Sequence, residues 1–295
     1  MTLNSKLDRR LHAFRDDLAD EALKGQVEST NFTDSAPYLV AVSEAPLHRE
    51  ANFSSTMETQ ALMGETIHVF ENKDGWCWGQ MACDGYVGYV PSATLVAAQD
   101  EGLPTAQITV QRSFVYPLAE LRAPALMALS MGSRVTVIGD GETRGTAYKL
   151  IRLPNGKEGA MIASHIQPIS NTELDWVSLA EQFLHVPYLW GGRSSIGLDC
   201  SALVQITRLT AQKKSLRDSD MLGKMGQPID LNADFSGLTR GDLIFWPGHV
   251  AIMLDDTRII HSNGYHMLTA IEPLAVAEAR IAAHYGKISH AMRPD

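Results

Sequence analysis

Pro187-Tyr188-Leu189-Trp190-Gly191-Gly192-Arg193, followed by Leu198-Asp199-Cys200-Ser201-Ala202-Leu203-Val204, decides how the C-terminal part of this chain is read. Ser201-Ala202-Leu203-Val204-Gln205-Ile206 has the texture of a helix, and Asp199 is a good N-cap for it. Cys200 then sits at the helix N-terminus, behind a glycine-bearing loop. A helix N-terminus favours negative charge, so it lowers a thiol pKa from about 8.5 and offers first-turn N–H groups to an oxyanion. The chain has 3 cysteines, and only this one has such a setting.

Two histidines lie downstream in an order that makes chemical sense. His249 follows Pro247-Gly248 and opens the apolar run His249 to Leu254. A residue at a strand end projects beyond the sheet edge, where an imidazole can take the thiol proton and return it to a leaving amine. His261 ends Arg258-Ile259-Ile260-His261, and Asp255-Asp256-Thr257 supplies the turn between the two runs. His261 is then a cross-strand neighbour that holds the His249 ring in one tautomer, with Asn263 as the competing orienter.

The rest of the terminal unit, residues 170–295, reads as α+β. Leu174, Val177, Ala180 and Leu184 mark a helix that Pro187 stops, and Asp242-Leu243-Ile244-Phe245-Trp246 is a further strand. Residues 35–100 carry short β-type runs separated by Asn72-Lys73-Asp74-Gly75 and Cys83-Asp84-Gly85, the pattern of a small barrel. Residues 101–169 repeat the texture, with turns expected at Gly139-Asp140-Gly141 and Pro154-Asn155-Gly156. Gly88 and Gly159 stand at the same spacing behind Asp84-Gly85 and Asn155-Gly156. Residues 1–34 form a polar lead-in, in which Leu7, Leu11, Phe14 and Leu18 recur at helix spacing.

Composition excludes several classes. The 295 residues carry 25 Lys and Arg against 34 Asp and Glu, a formal charge of −9. That balance argues against nucleic acid and anionic membranes as partners. The first twenty residues hold no apolar run of about seven, so no secretory leader is expected, and no stretch approaches the roughly eighteen apolar residues of a membrane span. With an odd cysteine count the expected protein is soluble, cytoplasmic and without a disulfide framework. Cys77 and Cys83 are expected to be unpaired. The histidines show no metal-ligand spacing, so neither metal nor cofactor is expected.

The quoted motifs, with Gly241-Asp242-Leu243, Gly248-His249 and Ile260-His261, resemble the NlpC-type cysteine peptidases, across essentially the whole terminal unit. Asp74-Gly75-Trp76 and Gly85-Tyr86-Val87-Gly88 in the first β module, and more weakly the second module, resemble bacterial SH3-like domains. The fold class expected is therefore two all-β SH3-like barrels ahead of an α+β, papain-like domain. The resemblance implies a Cys200, His249 and His261 triad. It implies hydrolysis of the bond between γ-D-glutamate and a diamino acid in murein peptides with a free N-terminal L-alanine; the expected cytoplasmic location and the acidic balance favour recycled peptides over intact wall. A buried ammonium needs carboxylate, phenol or hydroxyl partners. Asp199, Ser201 and Tyr188 are candidates beside the nucleophile, and Tyr86 and Glu65 are candidates from a first barrel that closes over the cleft. Trp190 is expected to wall the pocket or to pack in the core; Arg193 either meets a substrate carboxylate or is a plain loop residue. One departure from the family pattern is Ala202, where relatives usually carry Gly. Two rival functions stand beside it: an acyltransferase or amidase on the same Cys/His pair, and a non-catalytic protein whose SH3-like modules bind the peptide and whose thiol is unreactive.

Overall fold

The computed structural model describes residues 7–99, 103–171, 173–232 and 234–295. The chain forms two compact units, residues up to 108 with 113–168, and residues 169–295 with 109–112. Among the described residues, strand predominates over helix. Among the described residues no helix is long and apolar enough to cross a membrane.

The first unit opens with β1 (Leu18–Asp20) and β2 (Asn31–Thr33), a parallel pair. The helix expected over Leu7, Leu11, Phe14 and Leu18 does not form. Asp8 instead caps a turn through the Arg10 N–H, while Phe14, Ala19 and Val27 make a small cluster with Leu7, Leu23 and Phe32. Ala13 packs with Phe70 and Trp78, and the Arg15 guanidinium lies over the Trp78 ring. Tertiary packing of these side chains outweighs a weak helical periodicity.

A seven-stranded sheet follows, built from β3 (Ala36–Val40), β4 (Glu44–His48), β5 (Met57–Leu62), β6 (Thr66–Lys73), β7 (Trp76–Met81), β8 (Val87–Pro91) and β9 (Leu95–Ala97). β3 pairs with β6 and β9, β4 with β5 and β8, and β7 with β6 and β8. The second module uses β10 (Ala106–Ile108), β11 (Arg112–Val115), β12 (Met127–Ser130), β13 (Arg134–Thr143), β14 (Thr146–Arg152), β15 (Glu158–Ile162) and β16 (Ile166–Pro168). Its pairing repeats the first. β10 joins β13 and β16, β11 joins β12, β14 joins β13 and β15, and Tyr116 bridges Ala160 where His48 bridges Tyr89.

The repeat explains the matched glycines. A Cβ on Gly88 would stand 3.2 Å from the His48 carbonyl oxygen, and one on Gly159 would stand 2.7 Å from that of Tyr116. Both lie against the strand that crosses at the bridge, where a side chain has no room. One expected turn moves. Gly139-Asp140-Gly141 lies inside β13, past a bulge at Val137/Gly139, and the hairpin closes at Arg144-Gly145. Those two residues have φ of 54° and 80°, as Asp74 and Gly75 do at 51° and 83° in the first module. Paired positive φ values are what a two-residue hairpin with right-twisted strands requires.

Two residues expected to recognise substrate lie in this unit. Glu65 is a correction. It is 2% exposed, and its carboxylate accepts the Leu62 N–H 2.8 Å away, so it secures its own turn rather than facing a ligand. Tyr86 is largely buried but lines a groove together with Arg49 and Glu58, which form an ion pair. Cys77 is in the barrel core, and neither Cys77 nor Cys83 is in a disulfide.

The second unit holds α1 (Trp176–Glu181), β17 (Arg193–Ser194), β18 (Gly197–Leu198), α2 (Cys200–Thr210), α3 (Ser219–Leu222), β19 (Gln227–Ile229), β20 (Leu243–Trp246), β21 (His249–Met253), β22 (Arg258–Asn263), β23 (Leu268–Pro273), α4 (Leu274–Ala282) and β24 (His290–Arg293). The helix expected ahead of Pro187 is α1, capped by Asp175 but only 6 residues long. The sheet is antiparallel in the order β19-β24-β20-β21-β22-β23, and α2 lies against β21 and β22. Leu238, Ile244, Trp246, Ala251, Met253, Ile259, Leu274 and Ile281 form the core between the sheet and α4.

Candidate active site

Cys200 is the first residue of α2, and the Asp199 side chain caps that helix through the Ala202 N–H at 2.9 Å. The backbone N–H groups of Val250 and Ser201 both hydrogen-bond the Cys200 sulfur. The bond from Val250 brings the sulfur to the start of β21, where His249 emerges. The turn that presents His249 is Pro247-Gly248, with Trp246 and His249 paired on either side. Pro at the first central position and Gly248 at φ 73° fit a type II turn; space is not the reason for the glycine, since nothing lies within 4 Å of where its Cβ would be.

The His249 Nε2 lies 2.8 Å from the His261 Nδ1. The register of β21 on β22 pairs Ile252 with Ile260 and Met253 with Ile259, so the two histidines are diagonal neighbours on one face rather than directly opposite. The His261 Nε2 lies 2.7 Å from the Glu272 Oε1 on β23, and the Arg280 guanidinium from α4 pairs with the same carboxylate. Asn263 is occupied elsewhere: its Oδ1 accepts the His266 N–H at 2.9 Å, which closes the β22–β23 turn.

Burial sets the resting charge of the pair. Cys200 is 7% exposed. Loss of solvent, then the nearby Asp199 charge, push its thiol up to about 12, while the Val250 and Ser201 N–H groups and Arg217 work in the opposite direction. Burial, then His261 and Arg280, bring His249 down to about 3. At neutral pH the structure therefore holds a neutral thiol beside a neutral imidazole. The helix N-terminus acts as expected on the sulfur, but desolvation is the larger effect.

Asp199 and Ser201, expected as ammonium partners, are turned inward. The Asp199 carboxylate accepts from the Gly191 N–H, the Ala202 N–H, the Ser201 hydroxyl and both Nη groups of Arg217, the closest at 2.6 Å. Those donors fill the acceptor sites of a carboxylate, and the guanidinium compensates its charge. Arg217 is 1% exposed and was missed in the sequence; the signal was an arginine just ahead of Asp218 and α3, which local pattern cannot distinguish from a surface residue. Arg193 is corrected as well. It is 1% exposed, in the β17–β18 hairpin, close enough to Arg217 to be felt as repulsion, and it does not line the groove described below.

Tyr188 is half-buried, and Cys200 and Asp199 are near enough to add to the burial that raises its phenol, which stays protonated. Tyr188, Trp190, His249, Tyr265, Arg280 and Tyr285 line a groove of about 670 Å³. Trp190 is 64% exposed, so it stands as a wall and not in the core. Tyr86 and Glu65 belong to the first unit, and the groove described here is built from second-unit residues. One cluster, His261, His266 and Glu272, has potential metal-ligand atoms within 4.8 Å of one another, but Arg280 already occupies the Glu272 carboxylate.

The chain is similar to known proteins. Residues 47–95 match the bacterial dipeptidyl-peptidase SH3 domain, and residues 185–285 match the NlpC/P60 family. The chain is 25% identical over 239 residues to a protein named dipeptidyl-peptidase 6 from Lysinibacillus sphaericus, covering 76% of this chain and 87% of that protein. It is 26% identical over 247 residues to a γ-D-glutamyl-L-lysine dipeptidyl-peptidase of Bacillus cereus, covering 75% and 72%. The crystal structure of an NlpC/P60 family protein from Bacillus cereus superposes with a TM-score of 0.72 at 22% identity, over 88% of this chain and 99% of that one, which shows the fold. Residues 185–285 are thus similar to the NlpC/P60 family, and residues 47–95, ahead of them, to the bacterial dipeptidyl-peptidase SH3 domain.

Proposed function

We propose that the protein is a cysteine peptidase that hydrolyses the bond between γ-D-glutamate and a diamino acid in small murein peptides with a free N-terminal L-alanine. The observation that carries this reading is the thiol at the start of α2, bonded by the Val250 N–H, with His249, His261 and Glu272 in hydrogen-bonded sequence behind it. The name of one relative, γ-D-glutamyl-L-lysine dipeptidyl-peptidase, supports a γ-D-glutamyl bond to a diamino acid, and both names support release of a dipeptide. A net charge of −9 favours small recycled peptides over an intact anionic wall, which fits the cytoplasmic setting we propose for the reaction. We read residues 101–169 as a second SH3-like module, because their strand pairing repeats that of the first.

The chemistry starts from a neutral pair. As sulfur attacks the γ-glutamyl carbonyl carbon, the thiol proton passes to the free nitrogen of His249, and the oxyanion is met by the Cys200 N–H, a donor the helix leaves without an internal partner. Collapse breaks the C–N bond, and His249 returns the proton to the leaving amine of the diamino acid. Water, deprotonated by the same imidazole, then attacks the thioester; the C–S bond breaks, the imidazolium returns its proton to the sulfur, and the L-alanyl-γ-D-glutamate dipeptide leaves. Asp199 and Arg217 hold the helix start in place, and Tyr188 and Trp190 border the groove.

The test offers L-Ala-γ-D-Glu-diaminopimelate, its lysine counterpart and the N-acetylated form of each. Release of dipeptide from the free-amine peptides, with loss of at least about 100-fold in kcat/KM on acetylation, is expected. Equal turnover of acetylated and free peptides overturns the ammonium requirement, and no dipeptide from any of them overturns the reading as a whole.

A further inference from the structure

We propose that Glu272 is a positioning residue of the thiol site: through His261 it determines which nitrogen of each imidazole carries its proton, and so leaves the lone pair of His249 on the nitrogen that takes the thiol proton. This rests on the reading of Cys200 and His249 as the reacting pair.

The order follows from the donors and acceptors. An ionised carboxylate only accepts hydrogen bonds, and the Arg280 guanidinium on Glu272 favours the ionised form. The hydrogen between the Glu272 Oε1 and the His261 Nε2, 2.7 Å apart, therefore sits on His261. Burial keeps both imidazoles neutral, so each carries one proton. With Nε2 protonated, the His261 Nδ1 is bare and must accept. Its partner 2.8 Å away is the His249 Nε2, which must donate. The His249 Nδ1 is then bare. It is the ring nitrogen nearer its own main chain, and the next N–H along that chain, Val250, is on the Cys200 sulfur. The reverse order would set two bare acceptors against each other at 2.7 Å.

When His249 accepts the thiol proton it becomes an imidazolium. Its Nε2–H still donates to His261, whose dipole is backed by the carboxylate. The proton then leaves from Nδ1 to the departing amine, and Glu272 gains none. The groups facing this line are His249 on β21, His266 from the β22–β23 turn, and Arg280 on α4.

Arg280 makes removal of the carboxylate informative. A guanidinium donates and never accepts. In Glu272→Ala, the Arg280 N–H groups that sat on the carboxylate turn to the His261 Nε2, which must then be bare. Both tautomers reverse, and the His249 Nδ1 carries a hydrogen where the lone pair was needed.

The test combines kinetics on L-Ala-γ-D-Glu-diaminopimelate with 15N NMR of histidine-labelled protein, each variant first shown to be folded by near-UV circular dichroism. In the wild type and in Cys200→Ala, which needs no turnover to be read, His249 and His261 should both be protonated at Nε2. Glu272→Ala should move both protons to Nδ1 and lower kcat about 10³-fold with KM within about threefold. Glu272→Gln, which keeps an acceptor oxygen, should retain the tautomers and fall in kcat less than the alanine variant. Glu272→Ala with Arg280→Met, which removes the competing donor, should recover part of the loss. The proposal is overturned if His249 of the folded wild type is protonated at Nδ1, or if Glu272→Ala keeps the wild-type tautomers. A wild type with the expected tautomers that cleaves no γ-D-glutamyl peptide overturns the proposed activity and leaves the tautomer assignment standing.

Discussion

Two carboxylate–arginine pairs flank Cys200 and His249 in the second unit, and they are built differently. On the helix side, Asp199 is fully engaged by Arg217, Ser201 and two backbone N–H groups. On the imidazole side, Glu272 has Arg280 and one titratable partner, His261. The first pair is closed: all its hydrogens come from groups that keep them at neutral pH, so it holds a helix start in place and transmits nothing. The second pair ends a line of groups whose protons can be arranged in two ways, so it reaches the base. The lesson is that an acid–arginine pair beside a nucleophile is to be judged by what its remaining acceptor sites receive.

Substitutions can break this contrast. Cys200→Ala has the largest expected effect, a loss of at least about 10⁴-fold in kcat/KM with unchanged folding, because the proposed reaction has no other group to form the thioester; peptide turnover against thermal unfolding measures both. Arg217→Met should act on stability before chemistry. Leaving Asp199 buried without its guanidinium costs about 3–5 kcal/mol, so a drop in the urea midpoint is expected that Arg280→Met does not share. If Arg217→Met instead keeps full stability and changes only kcat, the two pairs are not different in kind.

Acidity gives a finer separation. A thiolate forms by losing a proton, so with Cys200 pushed up to about 12 the rate of iodoacetamide alkylation should climb roughly tenfold per pH unit from 7 to 10. A thiolate–imidazolium pair would instead show a plateau. His249 is neutral down to about pH 3 in the fold but titrates near 6.5 when unfolded. The unfolded chain binds the extra proton in that window, so stability should fall as pH drops from about 6.5 toward 3, read as a declining unfolding midpoint. The smallest expected effect is that of a chelator. With Arg280 on Glu272, EDTA should leave kcat unchanged, and a loss restored by zinc would reassign His261, His266 and Glu272 to a metal.

What sequence alone determined is local. Asp199 next to an apolar helical run specifies a capped α2 that begins at Cys200, Pro247-Gly248 specifies the tight turn that presents His249, and Asp255 to Thr257 specify the turn that returns the chain to His261. Each depends on residues within a few positions of one another, where side-chain chemistry and backbone preference are enough. The same holds for Asp74-Gly75, whose paired positive φ closes the first hairpin. What tertiary structure decided is the company these residues keep. The inward turn of Arg193, the Leu62 N–H on Glu65, the non-helical course of the lead-in, and the arrival of Arg217, Glu272 and Arg280 at the thiol site all depend on strand register and burial. Those are set by packing between distant segments, and a charged residue carries no local mark that says whether it will end in solvent or in a core.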